Sequence, residues 1–398
     1  MGIGSRIRPD SLLSQVAAAA WSCRRRRRPA RLQPLPLKSI RSFLPAMSFA
    51  LAGLAAASPC SAAPSATDAL VWRELPALPD AEGFAGSFAG TAQGALLVAG
   101  GANFPGKRPW EGGTKIWHDR LFVLPAGASA WLPAGCLPAA NGYGISLTLD
   151  VGVLLVGGGD AERNFAEVWL ARWDGTGVRF TAWPSLPRPM AMAAGAQVGR
   201  LVFVAGGLDR PDAGTAQKIF LTLDLDRVAA GWRELPAWPG EERFLAVAGA
   251  HEGAFYLFGG ARLVPAADGK AQRAWLRDAW CYRAESGWKR LADLPRVSVA
   301  APSPAPVAAG RLLVLGGDDG AQVSTAPTEH RGFPRDTLAY DPRSDRWTRA
   351  GDVPFSLVTT PLAPGGDGIV VPGGEARPGV RSPKVWTAAL PAGAGPAR

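Results

Sequence analysis

A chain of 398 residues that is 47% apolar can bury one large core or two ordinary ones, and this excludes a disordered or fibrous protein. Its formal charge of +10 would suit a nucleic-acid or acidic membrane partner, but ten of the 43 basic residues fall within residues 1–62 beside one acid, Asp10. The other 33 basic residues meet 32 acidic ones, so the body gives no electrostatic case for DNA or RNA.

The leader comes first in the chain. Its basic residues, Arg24 to Arg28 among them, run to Arg41, and an apolar stretch "FLPAMSFALAGLAAA" extends from Phe43 to Ala57, followed by the small residues "SPCSAAPSA". These are the parts of an export signal, with cleavage expected after Ala62 and the periplasm as destination. The apolar stretch is short for a bilayer span, and Pro59 before Cys60 argues against lipid attachment, so a soluble exported product with no membrane segment is expected. A start near Met47 would shorten the basic region and keep the apolar stretch. Residues 63–398 are expected to form a single domain.

That domain is a repeat. Six strand-like runs end in glycine: "LLVAGG" (96–101), "LLVGGG" (154–159), "VFVAGG" (202–207), "FYLFGG" (255–260), "LLVLGG" (312–317) and "IVVPGG" (369–374). A buried strand ends this way where the chain needs backbone angles that a side chain forbids. With the pairs starting at Gly100, Gly158, Gly206, Gly259, Gly316 and Gly373, the intervals are 58, 48, 53, 57 and 57 residues. A second apolar strand follows each pair, at 119–125, 166–171, 219–224, 278–282, 336–341 and 384–390. A tryptophan then marks a fourth strand: Trp131, Trp183, Trp232, Trp288 and Trp347. The sixth unit lacks one, but "VWRELPALP" near the start of the body holds a spare, Trp72. The expectation is an all-β, six-bladed β-propeller whose repeat resembles kelch, closed by pairing of the N-terminal strand with the last blade. Closure leaves no open sheet edge in the ring. The glycine pairs and blade tryptophans are read as structural.

With strands a to d in each blade, the b-to-c and d-to-a connections emerge on one face, where a pocket is expected. Arg163, Arg188, Arg243, Arg296, Arg331 and Arg381 lie in those connections. Such a mouth suits a small carboxylated ligand, because a guanidinium grips a carboxylate through two parallel hydrogen bonds. Taken singly, each arginine reads as a solvated rim residue. The last of these connections, within "IVVPGGEARPGVRSPKVW" (369–386), sets Glu375 directly after the glycine pair and Arg381 six residues on, past Pro378–Gly379. A buried, partnered glutamate is a candidate general base; a salt bridge that merely holds the loop is the alternative. Cys136 and Cys281 make no disulfide framework. His118, His251 and His330 stand in separate loops and offer no copper site, and neither a metal nor a cofactor is expected.

Three stretches, "GGANFPGKRPWEGGTKIWHDRLFVL" (100–124), "NGYGISL" (141–147) and "GGEARPGVRS" (373–382), resemble the N-acetylneuraminate mutarotases, which are six-bladed kelch propellers of the bacterial periplasm. The resemblance covers roughly residues 70–391, with the glutamate loop placed last, as in a circularly permuted branch. It implies an isomerase that exchanges the α and β anomers of sialic acid, a small acidic sugar, and it makes Glu375 and Arg381 the catalytic pair, with Arg377 standing where the family has lysine. Asn103, Asn141, Tyr143, Arg163, Arg188 and Arg243 are the candidate substrate contacts. The alternative function is a kelch module that binds a glycan or protein without chemistry.

Overall fold

The computed structural model describes residues 70–390, apart from 267–269 and 367; the expected leader and its cleavage site lie outside the described residues. Strand β1 (Val71–Leu75) precedes blade one, which contains β2 (Phe88–Ala92), β3 (Ala95–Ala99), β6 (Arg120–Leu124) and β7 (Leu132–Cys136). A short hairpin of β4 (Ala102–Asn103) and β5 (Ile116–Trp117) projects from its b-to-c connection. Blade two is β8 (Ile145–Leu149), β9 (Gly152–Val156), β10 (Val168–Trp173) and β11 (Val178–Trp183). Blade three is β12 (Ala194–Val198), β13 (Leu201–Ala205), β14 (Phe220–Asp224) and β15 (Arg233–Leu235). Blade four is β16 (Val247–His251), β17 (Ala254–Phe258), β20 (Ala279–Arg283) and β21 (Gly287–Leu291), and it carries a hairpin of β18 (Ala261–Pro265) and β19 (Ala271–Trp275). Blade five is β22 (Val307–Ala308), β23 (Arg311–Leu315), β24 (Asp336–Asp341) and β25 (Arg346–Asp352). Blade six has β26 (Ala363–Gly365), β27 (Gly368–Pro372) and β30 (Val385–Ala389), with the hairpin β28 (Glu375–Arg377) and β29 (Val380–Arg381) between the last two.

The expected closure is present. Strand β1 is the outer strand of blade six, antiparallel to β30 with Val71 opposite Ala389 and Leu75 opposite Val385. Six four-stranded antiparallel sheets complete the ring. Each second strand is an almost wholly buried run, such as "ALLVA" or "AFYLF", because both of its faces meet a neighbouring blade. Outer strands are open on one side instead; β11 exposes Arg179, Thr181 and Ala182.

Aromatic rings fill the space between blades. Phe203 stacks on Phe220 at 5.3 Å and meets Phe255 of blade four at 5.6 Å. The blade tryptophans also latch one blade to the one before it. The indole N–H of Trp131 donates to the Pro76 carbonyl, Trp232 to Pro184, Trp288 to Pro236 and Trp347 to Ala292, all at 2.8–2.9 Å.

A belt of backbone hydrogen bonds surrounds the axis. Gly86 donates to Thr359, Thr359 to Ala300, Ala300 to Leu245, Leu245 to Met192, Met192 to Tyr143 and Tyr143 back to Gly86, at 2.6–2.8 Å. All six residues adopt left-handed backbone angles, with φ between 50° and 67°, at a cost on the order of 1 kcal/mol for each non-glycine position. The belt offsets that cost by satisfying polar groups at the wall of the central channel.

The second glycine pair is Gly157–Gly158, one residue earlier than the sequence spacing places it: Gly157 (φ 61°) and Gly158 (φ 96°) repeat the angles of Gly100 (64°) and Gly101 (88°). The triple glycine conceals the register. Cys136 is exposed and Cys281 buried, and both are free. Among the described residues no helix is long and apolar enough to cross a membrane.

Candidate active site

One antiparallel bridge per blade ties the residue after the glycine pair to the residue before the belt: Ala85 to Ala102, Gly142 to Gly159, Ala191 to Leu208, Phe244 to Ala261, Val299 to Asp318 and Val358 to Glu375. Glu375 is therefore the blade-six member of a sixfold-equivalent set at the hub. Only the last two blades place a carboxylate there. The "GGDD" at 316–319 is the sequence signal for the second one, Asp318, which is not among the candidates above.

Glu375 and Arg381 face each other because the hairpin pairs them directly, and opposed residues of an antiparallel ladder project to the same side. A bulge between Glu375 and Arg377 tightens the hairpin. Glu375 Oε1 accepts from the Arg381 Nη1 at 2.6 Å and from the Gly379 N–H at 2.9 Å. Arg381 Nε donates to the Ala102 carbonyl at 3.2 Å, and the guanidinium lies over the Phe104 ring at 5.1 Å. The Arg381 side chain is 3% exposed and that of Glu375 19%. Burial works against the charge of Arg381, but Glu375 and Tyr143 more than offset it and raise its pKa. Arg381 thus stays a cation, and its committed hydrogen bonds leave it a poor clamp for a ligand carboxylate.

Beside this pair opens a cleft lined by Lys115, Trp117, Tyr143, Asn164, Phe244 and Arg273 among others. Glu375 and Arg381 do not line it, but both act on the charge of Lys115 and Tyr143, which do. Tyr143 belongs to the belt; its ring packs so closely on Gly86 that a Cβ there would stand 2.6 Å from it. Burial pushes the Tyr143 phenol up to about 12, an effect that Arg381 opposes. Its hydroxyl feels that guanidinium but meets no hydrogen-bond geometry. Lys115 is buried, and burial first and Arg381 second hold its pKa well below the ordinary lysine value, against the pull of Glu375. Arg273 lies 4.0 Å from Asp318 and over the Phe244 ring at 5.8 Å. Burial raises the Asp318 carboxyl, against the Gly320 N–H and Arg273.

Of the eight residues expected from sequence, three come together: Glu375, Arg381 and Tyr143. The other five do not join them. Asn103 is 1% exposed, with its amide donating to Asp80 (3.1 Å) and Gly83 (3.0 Å) and its oxygen held by His118 Nε2 (2.8 Å). Asn141 donates to the Gly157 carbonyl at 2.9 Å and packs beneath the glycine turn of blade two. Arg243 is wholly buried and clamps Asp278 (2.5 Å) and the Gly259 carbonyl (3.0 Å), a structural tie whose counterpart in blade five is Arg296 on Asp336. Arg163 and Arg188 are exposed and paired with Glu167 and Glu234. The arginines therefore do not converge as the loop geometry suggested. The cations that do reach the cleft are Lys115 and Arg273, and neither is legible in the sequence, because Tyr143 and Phe244, which cover them, come from other segments of the chain.

The sequence profile of the family described as N-acetylneuraminate epimerase matches residues 52–180 and 183–325, well over half of the chain. The chain belongs to the N-acetylneuraminate epimerase family. A curated relative of that description from Yersinia enterocolitica is 29% identical over 235 residues, covering 51% of this chain and 56% of the relative. One from Haemophilus influenzae is 29% identical over 227 residues, covering 50% and 57%. The chain thus spans about half the length of the curated relatives it matches. The solved structure of YjhT overlays with a TM-score of 0.57 at 13% identity, over 77% of this chain and 95% of that one, which bears on fold alone. Neither matched segment of the family profile includes the hairpin that carries Glu375 and Arg381.

Proposed function

We propose that the protein exchanges the α and β anomers of N-acetylneuraminate, with the sugar seated over the hub against the cleft. The supporting observation is the Glu375–Arg381 pair at the central end of blade six, in a chain of this family. Exchange at a keto sugar needs a base for the anomeric hydroxyl, ring opening to the keto acid, rotation and reclosure. Glu375 is that base: Oε1 is held by Arg381 and Gly379, and the partly exposed carboxylate takes the proton. Arg381 holds the carboxylate in place and stabilises its charge. A family profile that stops at residue 325 is in keeping with the permuted order, in which the glutamate loop comes last. The Arg-rich leader and apolar stretch support export to the periplasm, where N-terminal sequencing of the secreted product would read Ala63.

The test is proton NMR of freshly released α-sialic acid with wild-type protein and Glu375→Gln. Glutamine still accepts from Gly379 but takes no proton, so kcat is expected to fall by about 10²–10⁴ while sugar binding persists. Thermal unfolding guards against loss of fold, since removing the charge leaves Arg381 buried without its counter-ion. Wild-type protein that binds sialic acid without speeding exchange would make this a binding module.

A further inference from the structure

Lys115 is placed in a way that fold stability does not explain. It sits just before β5, is 8% exposed and lines the cleft. Its Nζ is buried and has no hydrogen-bond partner. Instead the ammonium lies between two aromatic faces, 4.3 Å from the ring centres of both Trp117 and Tyr143. Arg381 and Glu375 of the β28–β29 hairpin act on its charge, Tyr143 faces it from the d-to-a connection, and Asp160 and Arg273 share its cleft. A buried amine with unused donors, on a side chain that lines the cleft and within the field of a carboxylate base, is arranged for a ligand.

We propose that Lys115 is the acid of anomer exchange: it protonates the ring oxygen as the sugar opens and takes the proton back as it closes. The proposal rests on the mutarotase reading above. Glu375 removes the anomeric hydroxyl proton, and the freed electron pair forms the new carbonyl. The bond from anomeric carbon to ring oxygen breaks, its pair stays on that oxygen, and the Lys115 ammonium gives it a proton and becomes an amine. After rotation the hydroxyl attacks the other carbonyl face, Lys115 recovers its proton, and Glu375 returns its own to the carbonyl oxygen. Nothing is gained or lost over the cycle. Competing donors hold their protons more tightly: Arg381 is a fixed cation, and the Tyr143 phenol is pushed up to about 12. Two ring faces favour the ammonium, while burial and Arg381 disfavour it, so the proton is loosely held. The sugar carboxylate adds a negative charge and loads the proton as it binds.

Wild type, Lys115→Met and Lys115→Arg are compared by NMR exchange rates over a pH series and by titration calorimetry with sialic acid in buffers of different ionisation enthalpy. For Lys115→Met the expectation is a kcat about 10²-fold lower, binding within about tenfold, and loss of the alkaline limb of the wild-type profile. Lys115→Arg should bind but not recover kcat, because arginine does not release its proton. Wild type should take up a proton on binding, and Lys115→Met should not. Recovery of kcat to within a few-fold by arginine, exchange by Lys115→Met at the wild-type rate, or binding without proton uptake each overturns the proposal. Wild type that takes up the proton but does not speed exchange overturns the mutarotase reading instead.

Discussion

At the scale of single residues, the hub holds groups that the fold itself would be better without. Lys115 is the clearest: an amine buried with no hydrogen-bond partner costs about 1–3 kcal/mol. Because its folded pKa lies below the unfolded value, the unfolded chain binds more protons at intermediate pH. Stability therefore rises with pH from the lowered folded pKa up to the ordinary lysine value, and the penalty is fully present below that window. Lys115→Met is accordingly expected to be more stable than wild type at neutral pH, by about 1–3 kcal/mol in urea unfolding, with the gain shrinking as pH climbs toward the lysine range. A destabilised variant at pH 7 would mean that the contacts with Trp117 and Tyr143 outweigh the desolvation. Legibility at this scale follows from locality. Glu375 and Arg381 could be paired from sequence because six residues and one turn separate them. Arg243 could not be assigned, because its partner Asp278 is 35 residues away, and Lys115 could not, because Tyr143 reaches it from the connection to blade two.

At the scale of elements, the hairpin β28–β29 sets the geometry of the pair, and its turn is the sensitive point. Gly379 has φ 77°, donates its N–H to Glu375, and lies against the next b-to-c connection: a Cβ there would stand 2.9 Å from Pro109 and 3.0 Å from the Trp110 ring. Gly379→Ala meets both the backbone strain and the crowding, so a loss of about 1–3 kcal/mol in stability is expected. Displacement of the Glu375 carboxylate should also lower kcat more than it raises KM, which steady-state exchange kinetics would check. An alanine variant with wild-type stability and rate would show that this turn yields freely. The strands were legible, since a buried run closed by glycine repeats six times, and the outer strand with its tryptophan recurs on the same schedule. The belt was not. Its left-handed residues are Gly, Tyr, Met, Leu, Ala and Thr, types with no shared preference for that conformation, and the ring of six hydrogen bonds that holds them there joins residues from every blade.

At the scale of the whole molecule, the ring is held shut by a short strand from the far end of the chain. Strand β1 gives blade six its fourth strand through five register pairs with β30, and Trp72 meets the Phe355 ring edge-on at 5.0 Å. Glu74 adds a salt bridge to Lys384 at 2.8 Å, but both side chains are about half exposed and the pair contributes little. A variant that begins at Pro76 keeps the carbonyl to which Trp131 donates and, among the described residues, removes Leu70 and the closing strand. The ladder hydrogen bonds of this strand and a partly buried indole together stabilise the ring by on the order of 3 kcal/mol, so the expected fall in Tm is about 4–5 °C. The bared edge of β30 should also raise the tendency to associate, visible in light scattering. A synthetic peptide of residues 70–75 added in excess should restore part of the lost Tm by mass action, because it binds only the folded ring. Truncated protein that melts with wild type and ignores the peptide would mean that the five paired blades close the ring without their clasp, and that the Glu375 hairpin beside it owes its position to the belt alone.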